Sequence, residues 1–183
     1  MNSTADVFQQ LTRPWRVRLL AVAMRQATNR AQAEDWLQET LLRGWRDFSS
    51  LQDEQLMYPW LLKILGRVRA DELRKEAHRS QLAPILRVDD QLLNAHECSA
   101  PGPFEQLLAQ RNEQQLQQAI SRLPDDFQWV VILRDIEGLS YHDIGYALDI
   151  PKGTVMSRLS RGRRMLAANL LDARKTNSMR KQP

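Results

Sequence analysis

The chain has 183 residues, 43% of them hydrophobic and 26% charged, with a formal net charge of +4 at pH 7. That length and apolar content permit one medium domain or two small ones and exclude disorder throughout. A lone cysteine (Cys98) excludes an internal disulfide, three scattered histidines (His78, His96, His142) lack metal-ligand spacing, and no run approaches the roughly 18 apolar residues of a membrane span.

Val7, Leu11, Trp15, Leu19, Leu20, Val22 and Ala23 recur at helical spacing to about Thr28, with Pro14 marking a break or a late start. A second helix is expected from Ala31 to Phe48, with an apolar stripe of Ala33, Trp36, Leu37, Leu41 and Trp45. Ser49 to Met57 is polar and aperiodic. A third helix is expected from near Pro59, carrying Trp60, Leu61, Ile64, Leu65, Val68 and Leu73. From Leu82 to Pro103 the periodicity fades into an acidic, proline-bearing connector of linker type, which places a domain boundary there. Helical pattern resumes at Phe104, Leu107 and Leu108 and through Leu116, Ala119, Ile120 and Leu123, then again after Pro124 with Phe127 and Val130 to Leu133. Gly138 reads as a stop. The expectation is an all-α protein of two small helical domains, 1–82 and 104–171, joined by a flexible acidic linker at 83–103 and followed by a disordered basic tail at 172–183.

Ser140 followed by Asp143 forms a capping-box-like start for a short helix with Ile144, Ala147 and Leu148 on one face. A turn at Asp149 and Ile150 leads through Pro151 into a helix from Lys152 to about Leu170, expected to bury Val155, Leu159, Met165 and Leu166. Thr154, Met156, Ser157, Arg158, Ser160, Arg161, Arg163 and Arg164 are left for its other faces. Two short helices with a tight turn, the second bearing hydroxyls and guanidiniums, suit entry into a DNA major groove. From Lys152 onward nine Lys/Arg face one Asp/Glu, a positive potential suited to a polyanion. A charge run of this kind can equally be an ordinary solvated face.

The segment from Leu123 to Leu166, LPDDFQWVVILRDIEGLSYHDIGYALDIPKGTVMSRLSRGRRML, closely resembles the C-terminal promoter-binding domain of extracytoplasmic-function (group IV) RNA polymerase sigma factors. AEDWLQETLLRGWRDF, Ala33 to Phe48, is similar to the family helix that docks on the polymerase clamp helices, which assigns Asp35, Gln38, Glu39 and Thr40 to polymerase binding. Asp35 and Glu39 at i and i+4 repel unless a cation neutralises them, which fits a basic partner surface. WLLKILGRVRADELRK, Trp60 to Lys75, resembles the helix used to melt and hold the minus-ten element, and the loop from Phe48 to Met57 corresponds to the one that captures a flipped base. The resemblance implies minus-ten contacts from Tyr58, Trp60, Lys63, Arg67 and Arg74. Tyr58 and Trp60 are aromatic platforms on which a base can stack, although a large aromatic in this stripe is more often core. Two departures stand out. Arg67 replaces an asparagine common in relatives, and Met156 stands where lysine or arginine is frequent, which removes a charged contact from the recognition helix.

The resemblance implies an initiation factor that is not itself an enzyme and needs no cofactor or metal. Its partners would be core RNA polymerase (the β′ clamp helices and the β subunit), promoter DNA and an anti-sigma factor, often membrane-bound. The residues alone leave open a conventional helix-turn-helix repressor or activator. A nuclease is disfavoured, because no paired carboxylates with a basic third member, phosphate loop or nucleophile arrangement is found, and His96, Glu97 and Cys98 are only chance neighbours. With no secretory pattern over Met1 to Leu11 and no pairing for Cys98, the cytoplasm is the expected location and membrane insertion is not expected.

Overall fold

In a computed structural model, residues 4–80 and 113–179 are described, and every regular element among them is helical. They fall into two compact units. The connector expected at 83–103, together with Phe104, Leu107 and Leu108, lies outside the described residues.

The first unit begins with α1 (Thr4–Thr12), which ends where the Thr12 hydroxyl donates to the Phe8 carbonyl at 2.9 Å. Pro14 sits in a single 3-10 turn, Arg13–Trp15, before α2 (Arg16–Met24), so the break expected at the proline is a tightened turn between two helices. α3 (Arg30–Arg46) starts at Asn29, whose side chain accepts from the Gln32 backbone N–H at 2.9 Å while Gln32 Oε1 accepts from the Thr28 N–H at 2.8 Å. This reciprocal cap satisfies N–H groups that the helix cannot pair itself. The aperiodic stretch folds into two 3-10 turns, Phe48–Ser50 and Glu54–Leu56, and α4 (Met57–Ser80) follows.

α3 and α4 cross closely at Gly44, where a Cβ would lie 3.2 Å from Leu61 Cδ2 and 3.3 Å from Phe8 Cζ. The core beneath is Phe8, Leu19, Val22, Ala33, Trp36, Met57, Leu61, Leu62, Leu65 and Val68. Trp45, expected in the α3 stripe, is 40% exposed and meets Phe8 edge to face at 5.7 Å.

The second unit holds α5 (Glu113–Ser121), α6 (Asp125–Val131), the first half of α7 (Tyr141–Leu148) and α8 (Lys152–Met179). α6 runs into a π turn, Ile132–Ile136, closed by the Glu137 N–H on the Ile132 carbonyl at 3.0 Å. Gly138 stops it with φ +73°, a conformation that glycine adopts without steric cost. The capping box at α7 forms as expected, the Asp143 N–H donating to Ser140 Oγ at 3.1 Å and that hydroxyl to Asp143 Oδ2 at 2.7 Å. Asp149, at φ +58°, reverses the chain before Pro151 and α8.

Two expectations for α8 are corrected. Met165 is 37% exposed, and the buried stripe runs Val155, Leu159, Gly162, Leu166, Leu170. The reason is that α6 lies directly over Gly162, turning the helix so that Met165 falls at the margin. The tail expected to be disordered from 172 is helical as far as Met179, since no glycine or proline interrupts the chain between Gly162 and Pro183. Residues 180–183 lie outside the described residues.

Candidate nucleic-acid and polymerase interfaces

On α3, Asp35 and Gln38 are exposed, and Leu42 (52% exposed) and Trp45 continue the same face at steps of four and three residues. Thr40 lies roughly 140° around the helix from Asp35 and is fully buried. In this conformation it packs inside and does not reach a partner. Glu39 is half-buried and its carboxylate accepts from Arg43 Nε at 2.8 Å. The cation expected from a partner to relieve the Asp35–Glu39 repulsion is therefore supplied in part by the helix itself.

Arg43 also reaches α4, donating through Nη1 to Asp71 Oδ2 at 2.6 Å, and Asp71 Oδ1 accepts from Arg74 Nη1 at 2.8 Å. The Arg43 hydrogen bond is the main reason that Asp71 titrates below its ordinary value, with partial burial working against it. A carboxylate with a lowered folded-state pKa contributes stability above its unfolded value, and that contribution disappears only as pH falls through the lowered one. The α3–α4 tie is therefore fully present at neutral pH.

Among the minus-ten candidates, Arg67 and Arg74 are exposed and Lys63 is half-buried. Tyr58 and Trp60 are buried, at 4% and 6% exposure, and are corrected as base platforms in this conformation. The Tyr58 ring stacks on Trp15 with centroids 4.9 Å apart, and the Arg18 guanidinium sits 4.4 Å above the Tyr58 centroid. Burying these large rings beneath α3 and α2 removes more apolar surface from water than leaving them poised for a base. The aromatic side chains nearer the surface are Trp45 and the half-buried Phe48, which line an open groove with Arg46 and Leu51 beside the Phe48–Met57 loop. The exposure of Trp45 was missed because it continued the apolar period of α3.

On α8, Ser157, Ser160, Arg161 and Arg164 lie on the side opposite the buried stripe, with Thr154 and Met156 beside them. Met156, Arg164 and Lys152 are exposed, and Thr154, Ser157, Ser160 and Arg161 half-buried. Ser157 Oγ donates to the Thr154 carbonyl at 3.1 Å. Arg158 and Arg163, left by the helical spacing for the outer faces of this helix, instead flank the core and pair with carboxylates of the same unit. Arg163 forks onto Asp135 of the π turn, Nε to Oδ2 at 3.1 Å and Nη2 to Oδ1 at 2.5 Å. Arg158 Nη2 lies 3.3 Å from Asp126 Oδ2 of α6. The two pairs hold α8 against α6 and the π turn that follows it, and partners 28 residues or more apart leave no signal in sequence spacing.

This separates two neighbouring arginines. Arg163→Ala should strand the Asp135 carboxylate, which is 8% exposed, and lower the stability of the second unit by about 1–3 kcal/mol. Arg164→Ala should leave the melting curve in place, weaken binding to all DNA sequences alike, and reduce the salt slope by about 1. Thermal melts and salt titrations of both variants check this; the reverse pattern would exchange the two roles.

A helix-turn-helix whose second helix turns serines and arginines outward, carried on an all-helical two-unit chain, defines a DNA-binding transcription protein. Residues 11–79 match Sigma-70 region 2, and residues 113–166 match Sigma-70, region 4. The chain is 31% identical over 140 residues to the ECF RNA polymerase sigma-E factor of Haemophilus influenzae, covering 75% of this chain and 74% of that protein. It is 28% identical over 169 residues to the ECF RNA polymerase sigma factor SigW of Bacillus subtilis, covering 91% and 90%. The sigma factor RpoE from Bartonella quintana, solved in complex with the anti-sigma factor NepR, has the same fold at a TM-score of 0.69 and 25% identity, over 89% of this chain and 96% of that one. The chain belongs to the extracytoplasmic-function RNA polymerase sigma factor family. It directs RNA polymerase to promoters and initiates transcription there. Among the described residues no helix is long and apolar enough to cross a membrane, and no group of three or more His, Cys, Asp or Glu could hold a metal ion.

Proposed function

We propose that the first unit docks on the β′ clamp helices of core polymerase through Asp35, Gln38 and Glu39, with the β subunit as a further contact. With Lys63, Arg67 and Arg74 the same unit holds the opened minus-ten element. The second unit reads the minus-thirty-five element with Ser157, Ser160 and Arg161, while Arg164 and Thr154 meet phosphates and Met156 offers an apolar contact to a thymine methyl. The chain acts in the cytoplasm as a group IV factor, without cofactor or catalytic residue of its own. An anti-sigma factor, membrane-anchored or free, holds it inactive, a reading supported by the complex in which the Bartonella relative was solved.

The observation that carries this reading is the segregation of charge. Exposed acid and amide side chains lie on α3, a face phosphate repels, whereas hydroxyls and guanidiniums line the outer side of α8. Asp35→Ala combined with Glu39→Ala should weaken association with core polymerase by more than about 1 kcal/mol and leave the fold intact, because Arg43 keeps Asp71. Unchanged core affinity in a folded double variant would remove α3 from the interface. Transcription with purified core polymerase across a random-promoter library tests the whole reading. Enrichment of a paired minus-thirty-five and minus-ten motif is expected, and DNA binding that ignores polymerase would point instead to a conventional helix-turn-helix regulator.

A further inference from the structure

The first unit contains a line of four alternating charges. Glu39 of α3 is joined to Arg43 at 2.8 Å, Arg43 to Asp71 of α4 at 2.6 Å, and Asp71 to Arg74 at 2.8 Å. The middle pair is sheltered, about a third exposed on each side chain, while Arg74 is 75% exposed. Arg43 spreads its rigid fork over two carboxylates from different helices, and Asp71 divides its two oxygens between two arginines. Their mutual hydrogen bond is the chief cause that holds the Asp71 carboxyl below its ordinary value and the Arg43 guanidinium above its own.

We propose that Arg43 and Asp71 are positioning residues that couple the acidic face of α3 to the basic end of α4, so that polymerase capture by Glu39 and phosphate capture by Arg74 assist each other. This rests on the assignment of Glu39 to polymerase and Arg74 to promoter DNA made above. The physical course is short. A cation brought to Glu39 competes with Arg43 for that carboxylate, and Arg43 turns more of its charge to Asp71. Asp71 then holds Arg74 less firmly, and the Arg74 guanidinium is freer to meet phosphate. The same steps run in reverse when phosphate arrives first, because coupling between two binding events is reciprocal.

The test is a double-mutant cycle on the full chain with core polymerase, using a promoter fragment taken from the library selection. Transcript yield is read at limiting concentrations of this chain for wild type, Glu39→Gln, Arg74→Gln and the pair. Glu34→Gln, which removes the same charge from the exposed Arg30–Glu34 pair of α3, controls for net charge. The pair is expected to depart from the product of the single effects by at least about threefold, as members of one ion network do. The departure should vanish in an Asp71→Asn background and in an Arg43→Lys background, where the charge remains but the fork between two carboxylates is lost. Arg43→Lys carries the test if Asp71→Asn lowers the yield of folded protein. Multiplicative single effects, or a departure that survives both backgrounds, overturn the coupling while leaving the two face assignments standing. If either single change has no effect beyond the Glu34→Gln control, the face assignment itself fails and takes the coupling with it.

Discussion

Trp60→Ala is expected to cost the first unit about 3–5 kcal/mol, the range for truncating a buried tryptophan. The indole is 6% exposed, and its Cζ3 lies 3.5 Å from where a Cβ on Gly44 would stand, at the close crossing of α3 and α4. Removing it opens a cavity between helices that cannot move together without displacing Leu61 and Phe8. Total domain stability is only about 5–15 kcal/mol, so a loss of that size unfolds a sizeable fraction of the unit on warming. Promoter opening should fail in proportion to unfolding, and Trp60→Phe should recover most of both. Hydrogen exchange over Met57–Ser80, compared with open-complex yield across temperature, makes the measurement. A variant with wild-type protection that still cannot open promoters would return Trp60 to the role of a base platform.

Gly162→Val should lower the stability of the second unit by about 3 kcal/mol, the upper end for overpacking a core. A Cβ at this position would lie 2.8 Å from Val131 Cγ2 and 3.3 Å from the Phe127 carbonyl oxygen. Val131 is buried and β-branched, so it has little rotamer freedom to retreat, and a backbone oxygen has none. α8 would have to lift from α6, stretching the Arg163–Asp135 and Arg158–Asp126 pairs and tilting the outer face that carries Ser157, Ser160 and Arg161. Affinity for minus-thirty-five DNA should fall with stability. Gly162→Ala should cost less, since alanine's helix preference of about 1 kcal/mol offsets part of the clash. Denaturant unfolding with hydrogen exchange over α6 and α8 distinguishes the outcomes, and a Gly162→Val protein as stable as wild type would show that the crossing has slack.

The helices were readable from the chain because the forces that start, stop and orient them act over a few residues. Leu61, Leu65 and Val68 share a face through helical spacing alone, Gly138 stops the π turn after α6 through its own backbone freedom, and Ser140 caps α7 from three residues away. The resemblance carried by Leu123 to Leu166 was likewise local and continuous. The extent of α8 was less legible, since polar residues after Asp172 resemble a tail whether or not the helix continues through them.

Which side chains remain available to a partner was settled in three dimensions. Arg163 and Arg164 are adjacent and chemically identical, yet one lies about 80° from Val155 and is forked by Asp135, while the other lies about 180° away and faces outward. Helical spacing supplies those relative angles but not which bearing a neighbouring helix covers. Met165 was expected in the core for that reason, and the approach of α6 to Gly162 moved it out. Tyr58 and Trp60 were drawn inward by contacts with residues remote in sequence, Thr40 fell on the buried side of α3, and Arg43 found Asp71 across 28 residues. Burial and ion pairing depend on atoms brought together by chain reversal, so no local pattern could distinguish the groups kept for folding from those left for polymerase and DNA.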